Sequence, residues 1–288
     1  MIENRRVSPL TGLALAVEFL TVVPVRRVRS DAAADAAAAA TVPHDMSLAL
    51  PWFPLVGAML GLALVIVDWL LSLAFPLGVR SVGVLVFDAL ITGMLHLDGF
   101  VDCCDALPGR RSIERRLEIL RDSRVGAYGA LGGTLLMITR YAALTALVGP
   151  LRWLALLAAP VLGRWAIVYV VSRYPYARSS GAGTPFRTRG AAPFVLATGS
   201  MLLLLACNVL VNGRLELTLT VAGVIAGLLL LAAIATMLGW GTWASRRLGG
   251  ALTGDTYGAV CVLVELAVLL VVPPLASVAT QAAQLIWR

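Results

Sequence analysis

The sequence predicts an all-α fold: a polytopic membrane helix bundle of about seven transmembrane helices, preceded by an N-terminal helix that is interfacial or re-entrant. Three features carry this reading. Of 288 residues, 59% are hydrophobic and 14% charged, against about 25% charged in a soluble domain, and the mean hydropathy is +0.88. Apolar stretches close to the ~20 residues that a spanning helix needs recur along the chain. The basic residues are all arginine, and they gather between those stretches. A bundle of this length reads as one unit over residues 1–288.

The N-terminal stretch "PLTGLALAVEFLTVVPV" (9–25) is short and holds Glu18 and Pro24. It lacks the small-residue cleavage site of a signal peptide, which leaves an interfacial or re-entrant helix. "SDAAADAAAAATVPHD" (30–45) reads as an alanine-rich linker or surface helix without chemistry. Seven spans follow, at 53–75, 79–97, 127–149, 151–171, 194–212, 217–238 and 258–279.

With the N-terminus in the cytoplasm and the spans alternating, the inner side receives Arg5, Arg6, Arg26, Arg27, Arg29, Arg110, Arg111, Arg115, Arg116, Arg121, Arg124, Arg173, Arg178, Arg187, Arg189, Arg246 and Arg247. The outer side receives Arg80, Arg152, Arg214 and Arg288. A bias of 17 to 4 sets the orientation, with the N-terminus inside and the C-terminus outside. It also accounts for the net charge of +7 without a nucleic-acid partner. Membrane lipid is the expected surrounding, and a homo-oligomer is compatible with the sequence. The polar motifs, which were not used to set the orientation, all fall on the cytoplasmic side.

Those motifs carry the chemistry. In "HLDGFVDCCDAL" (96–107), Asp98, Asp102 and Asp105 are spaced i, i+4, i+7 and occupy an arc of roughly 60° on a helix. Three carboxylates so close repel unless a cation sits among them, and hard oxygen donors suit Mg²⁺ or Mn²⁺ with phosphate and water. The alternative is a solvated acidic helix end. Gly99 permits close approach of another helix or of substrate. "LRDSRVGAYG" (120–129) offers Asp122, Ser123 and Arg124 near a helix start, a place for phosphate or for an ordinary cap. "SRYPYARSSGAGTPF" (172–186) offers Arg173 and Arg178 for phosphate, with Gly181 and Gly183 in a small turn; a positive-inside loop explains it equally. "GGALTGDTYGA" (249–259) sets Asp255 between Thr253 and Thr256, either a second metal or phosphate element or a capped loop.

Charges inside the spans, Asp68, Asp88, Arg140, Arg164 and Glu265, are expected to face inward and pair, since one on the lipid face costs roughly 2.5–3.5 kcal/mol. His96 is placed to pack rather than to ligate, and Cys103, Cys104, Cys207 and Cys261 show neither metal-ligand nor disulfide spacing.

Taken in order, these motifs, together with "EFLTVVPV" and "PWFPLVGAMLG" near the start, resemble the cobalamin synthase (adenosylcobinamide-GDP ribazoletransferase) family over nearly the whole chain. The resemblance implies a Mg²⁺-dependent membrane transferase. Adenosylcobinamide-GDP plus α-ribazole, or its 5′-phosphate, would give adenosylcobalamin, or its 5′-phosphate, and GMP. On this reading Asp98, Asp102 and Asp105 hold Mg²⁺, one of them or Asp255 is the general base, and Arg124, Arg173 and Arg178 bind phosphate charge. Asp122 orients an arginine or ligates metal. Two other readings stay open: a CDP-alcohol phosphotransferase-like phospholipid enzyme, and a cation or corrinoid transporter using Asp68, Asp88 and Glu265 as a relay.

Overall fold

The computed structural model describes residues 9–25, 46–178, 191–215 and 219–286. Ten α-helices lie in these segments: α1 Pro9–Leu20, α2 Phe53–Ser72, α3 Leu77–Ile91, α4 Leu95–Ala106, α5 Ile113–Ile119, α6 Ala127–Thr145, α7 Gly149–Arg173, α8 Ala192–Leu215, α9 Leu219–Arg247 and α10 Gly254–Ile286. The described residues contain no β-strand, only an isolated parallel bridge between Tyr176 and Leu252. The predicted all-α class holds, and the exposed large apolar side chains, such as Leu62, Ile66, Val86, Leu203 and Leu231, suit a lipid surround. The alanine-rich stretch 30–45 lies outside the described residues.

Among the described residues the expected count of seven spans is not confirmed. Five helices, α2, α7, α8, α9 and α10, are long and apolar enough to cross a membrane, and α3 with α4 makes a sixth only as a pair bent by 91°. The stretch read as a straight span over 79–97 is therefore broken. Gly93 supplies the break: its φ of +59° ends α3, its N–H bonds to Leu90 O at 3.2 Å, and Met94 N–H reaches Ala89 O at 2.9 Å. This is the Schellman pattern that glycine terminates at least cost. Met94 also takes a positive φ of 59°, unfavourable for an L-residue by roughly 1–2 kcal/mol, and the chain restarts as α4 in a new direction. At 12 residues, about 18 Å, α4 is too short to cross a ~30 Å hydrocarbon core, and we read it as lying outside the spanning segments.

α7 is the centre of the bundle and is buried along most of its length. Gly57 and Gly61 of α2 lie against its backbone; a Cβ on Gly57 would clash with Pro160 O. Small residues four apart allow helices to approach this closely in a membrane.

The buried charges close on one another. Arg140 Nη2 donates to Asp88 Oδ2 at 2.9 Å and to Glu265 Oε2 at 3.1 Å, while Arg164 pairs with the other oxygen of Glu265. Both arginines thus serve, a pairing the sequence left open. At the opposite end of the bundle Asp68 accepts from Arg80 Nη2 at 2.6 Å and from Arg152 Nη2 at 2.8 Å. Arg152, placed on the outer side from the sequence, lies in the first turn of α7 at the same end as Arg80 and is 1% exposed, its guanidinium bound to the buried carboxylate of Asp68. Substituting Arg140→Met should destabilise the protein by about 3–5 kcal/mol, since it leaves two buried carboxylates short of one partner. Unfolding of the purified protein in detergent measures this, and a wild-type midpoint would contradict it.

Candidate active site

The end of the bundle opposite the Asp68 cluster gathers the sequence motifs. α4 lies against the start of α10 with almost no space between backbones: a Cβ on Gly99 would stand 2.7 Å from Asp255 O, and one on Gly258 would stand 3.1 Å from His96 O. The two glycines let the acidic helix and the Asp255 turn touch. Here Gly99 admits a helix, one of the two partners its size allowed.

The i, i+4, i+7 spacing keeps Asp98, Asp102 and Asp105 on one face of α4. Asp98 is exposed and Asp102 half-buried. Burial, together with the charges of Asp98, Asp255 and Asp105, pushes the Asp102 carboxyl up to about 7. The three α4 carboxylates and Asp255 of α10 thus lie close enough for their charges to act on one another, and Arg178 offsets that repulsion only in part.

Asp105 has a second task. Its carboxylate accepts from Gly126 N–H at 2.8 Å and from Gly129 N–H at 2.9 Å, capping the start of α6 from another helix, where the helix dipole favours an anion. Asp122 and Ser123, expected near that helix start, precede it in a loop, so the cap comes from Asp105 instead. Asp122 holds Arg124 in a bidentate pair, Nη2 to Oδ2 at 2.6 Å and Nε to Oδ1 at 2.9 Å, and that pairing lowers its carboxyl to about 2. Ser123 and Arg124 are exposed.

Arg178 is brought in by the Tyr176–Leu252 bridge, where Ala177 N–H bonds to Leu252 O at 2.8 Å and Leu252 N–H to Pro175 O at 2.9 Å. Its Nη2 donates to Asp255 Oδ2 at 2.8 Å and to Leu120 O at 3.0 Å, tying the ends of α5 and α7 to the start of α10. The buried Thr253 also donates to Asp255 Oδ2, at 3.1 Å. Asp255 is therefore fixed through one oxygen, and its Oδ1 has no hydrogen bond among the described residues. Arg173 is exposed at the end of α7, its guanidinium 5.5 Å from the Tyr174 ring centroid. Gly181 and Gly183 lie outside the described residues.

Sequence reasoning missed several supports. Arg116 is buried and donates to Gly109 O at 3.0 Å and Arg247 O at 3.2 Å, holding α5 against the end of α9. Nothing in a positive-inside arginine cluster distinguishes it from its exposed neighbours. A cavity of about 100 Å³ also opens beside Asp98 and Asp255, roofed by Phe19 of α1 and Phe53 of α2.

Among the described residues no three His, Cys, Asp or Glu side chains converge tightly enough to cage an ion. The donors nevertheless fit Mg²⁺, which is ordinarily held by one or two carboxylates with substrate phosphate and water completing its shell. Asp98, Asp102 and the open oxygen of Asp255 are such donors, and the raised Asp102 carboxyl marks a place where a cation lowers the energy.

The chain matches the family described as cobalamin-5-phosphate synthase over residues 12–273. It is 38% identical over 253 residues to an adenosylcobinamide-GDP ribazoletransferase of Synechococcus elongatus, covering 87% of this chain and 91% of that one. It is 36% identical to the Roseiflexus protein of the same name, covering 91% and 89%, and 35% identical to that of Deinococcus radiodurans, covering 92% and 86%. No solved structure matches it. A chain alike over this much of its length, with its motifs assembled at one end of a helical bundle, is a membrane-embedded transferase belonging to the cobalamin-5-phosphate synthase family.

Proposed function

We propose that the protein transfers the adenosylcobinamide-phosphate group of adenosylcobinamide-GDP to the ribose hydroxyl of α-ribazole or its 5′-phosphate, giving adenosylcobalamin or its 5′-phosphate and GMP. The named relatives support the substrates, and one observation supports the chemistry. Asp98 and Asp255, from two helices in backbone contact, line one cavity, and Asp102, on the same face of α4 as Asp98, has its carboxyl raised by burial and by the charges of its acidic neighbours.

The acceptor hydroxyl oxygen forms a bond to the phosphorus nearer cobinamide as the bond from that phosphorus to the bridging diphosphate oxygen breaks. GMP leaves with the bridging oxygen. The hydroxyl proton passes to Asp98 or Asp255, the two carboxylates on the cavity wall. Arg178 and Thr253 hold Asp255 in place, and Asp105 fixes the acidic face against α6. Arg173 and Arg124, both exposed, supply positive charge for the diphosphate and the departing nucleotide. Asp98 and Asp102, with Asp255 beside them, would hold Mg²⁺ or Mn²⁺, which when bound neutralises diphosphate charge and stabilises the leaving group. The arginine excess supports placing this end on the cytoplasmic face of the inner membrane.

Asp98→Asn and Asp102→Asn should each lower turnover by about 10²-fold or more and raise the Mg²⁺ concentration needed for half-maximal rate. The assay is mass analysis of the corrinoid formed from adenosylcobinamide-GDP and α-ribazole, and near-normal rates in both variants would remove the assignment. A second expectation concerns stability. The Asp102 carboxyl is raised in the folded chain, from 3.8 to about 7. The folded state therefore binds more protons than the unfolded one across that range, and the metal-free protein should lose stability as pH rises from about 4 to 7. Asp102→Asn should flatten this slope and raise the unfolding midpoint above about pH 7, while abolishing most of the gain that Mg²⁺ gives the wild type. Thermal unfolding in detergent with and without Mg²⁺ reads both effects; identical pH profiles for variant and wild type would count against it.

A further inference from the structure

The elbow between α3 and α4 encloses a second, smaller cavity of about 20 Å³. His96 of α4, Arg140 of α6 and Arg164 of α7 line it, with Asp88 and Glu265 beside them. Six buried side-chain polar atoms have no hydrogen-bond partner among the described residues. Three of the six, His96 Nε2, Arg140 Nε and Arg164 Nε, belong to residues of this one cavity. His96 also lines the larger cavity with Asp98 and Asp255, so it stands between the interior ion pairs and the acidic site. We propose that a single water in the elbow accepts from Arg140 Nε–H and Arg164 Nε–H and donates to His96 Nε2, and that His96 is through it a positioning residue for Asp98; the effect on turnover rests on the transferase reading above.

Size and polarity select the occupant. A water needs about 10–15 Å³ and two to four polar partners, so a cavity of about 20 Å³ admits it and little that is larger. An anion would meet the carboxylates of Asp88 and Glu265 on the same wall. Arginine side chains only donate. Two Nε–H groups therefore fill both lone pairs of the water, and its two protons must go to acceptors. Asp88 or Glu265 takes one. His96 Nε2 takes the other, which requires the neutral imidazole with its proton on Nδ1. All three nitrogens thereby recover the hydrogen bonds that burial took from them.

The site depends on this link because the start of α4 has few other restraints. The helix opens on Met94 in the left-handed region, and no side chain caps it, whereas its far end is tied to α6 through Asp105. His96 and Asp98 share that first turn. Arg140 and Arg164 are themselves locked to Asp88 and Glu265, so a bond from them to His96 sets how the turn is rotated. A shift of ~1 Å at reacting groups lowers rates by up to about 10²-fold.

The chain has two histidines, His44 and His96, so ¹⁵N-histidine NMR of the full chain in detergent has two imidazoles to resolve, and the signal lost in His96→Gln is that of His96. It should be a neutral Nδ1–H tautomer whose Nε2 accepts a hydrogen bond; an Nε2–H tautomer overturns the proposal. His96→Phe keeps a ring and removes the acceptor, and should lower kcat for adenosylcobinamide-GDP and α-ribazole about tenfold with both KM values little changed. His96→Gln, whose amide oxygen reaches the Nε2 position, should keep most of the wild-type rate. Equal kcat in the two variants overturns the proposal, and if His96→Phe does not fold the tautomer decides. Wild-type protein that transfers nothing while His96 shows the expected tautomer marks a failure of the transferase reading and not of the water site.

Discussion

The contact between α4 and the start of α10 is the constraint on which the rest of the site depends. Gly99 faces the Asp255 backbone and Gly258 faces the His96 backbone, and a methyl group at either position would wedge the helices apart. Only at this distance do the α4 carboxylates act together with Asp255. Two further ties prevent the helices from separating under their own repulsion. Asp105 is bound to the amides that open α6, and Arg178 holds Asp255 to the end of α5 and the segment after α7.

This arrangement divides the acidic residues by task. Asp105 has both oxygens occupied by backbone amides and is chiefly a joint, whereas Asp98 is exposed and Asp102 half-buried on the same face. The half-buried Asp102 bears the cost of the crowding, a local destabilisation of the kind that sites for cations carry and stable cores avoid. The bundle tolerates it because its interior is internally neutralised. Asp88 and Glu265 face Arg140 and Arg164, and Asp68 faces Arg80 and Arg152. These closed pairs also answer the transporter reading: the interior charges form fixed contacts with one another and do not line a path between the two ends. Family membership favours the ribazoletransferase over the phospholipid enzyme.

The break at Gly93 and Met94 gives the site its position. Had the second apolar stretch run straight, the acidic face would have continued along the bundle axis. The 91° bend instead lays α4 across the end of α3, where it meets α6, α10 and, across the cavity, α1 and α2. The N-terminal helix, with no chemical groups of its own at the site, thereby becomes part of its wall through Phe19.

By itself the sequence determined the all-helical membrane class, the single acidic face of α4 and the motifs that would meet. These follow from composition and from a 3.6-residue period, which neighbours do not alter. It also called for the interior charges to pair, since an unpaired charge in hydrocarbon is costly. Only the tertiary structure decided which charges paired, that Arg152 was buried, that the second apolar stretch was broken and that Asp105 capped another helix. Each of these depends on what lies across a helix interface. A glycine that ends a helix looks in sequence like one that packs, and an arginine that reaches a buried carboxylate looks like one that orients a loop. Whether a side chain meets water, lipid or a partner is fixed by packing between segments far apart in the chain, and local spacing carries no record of it.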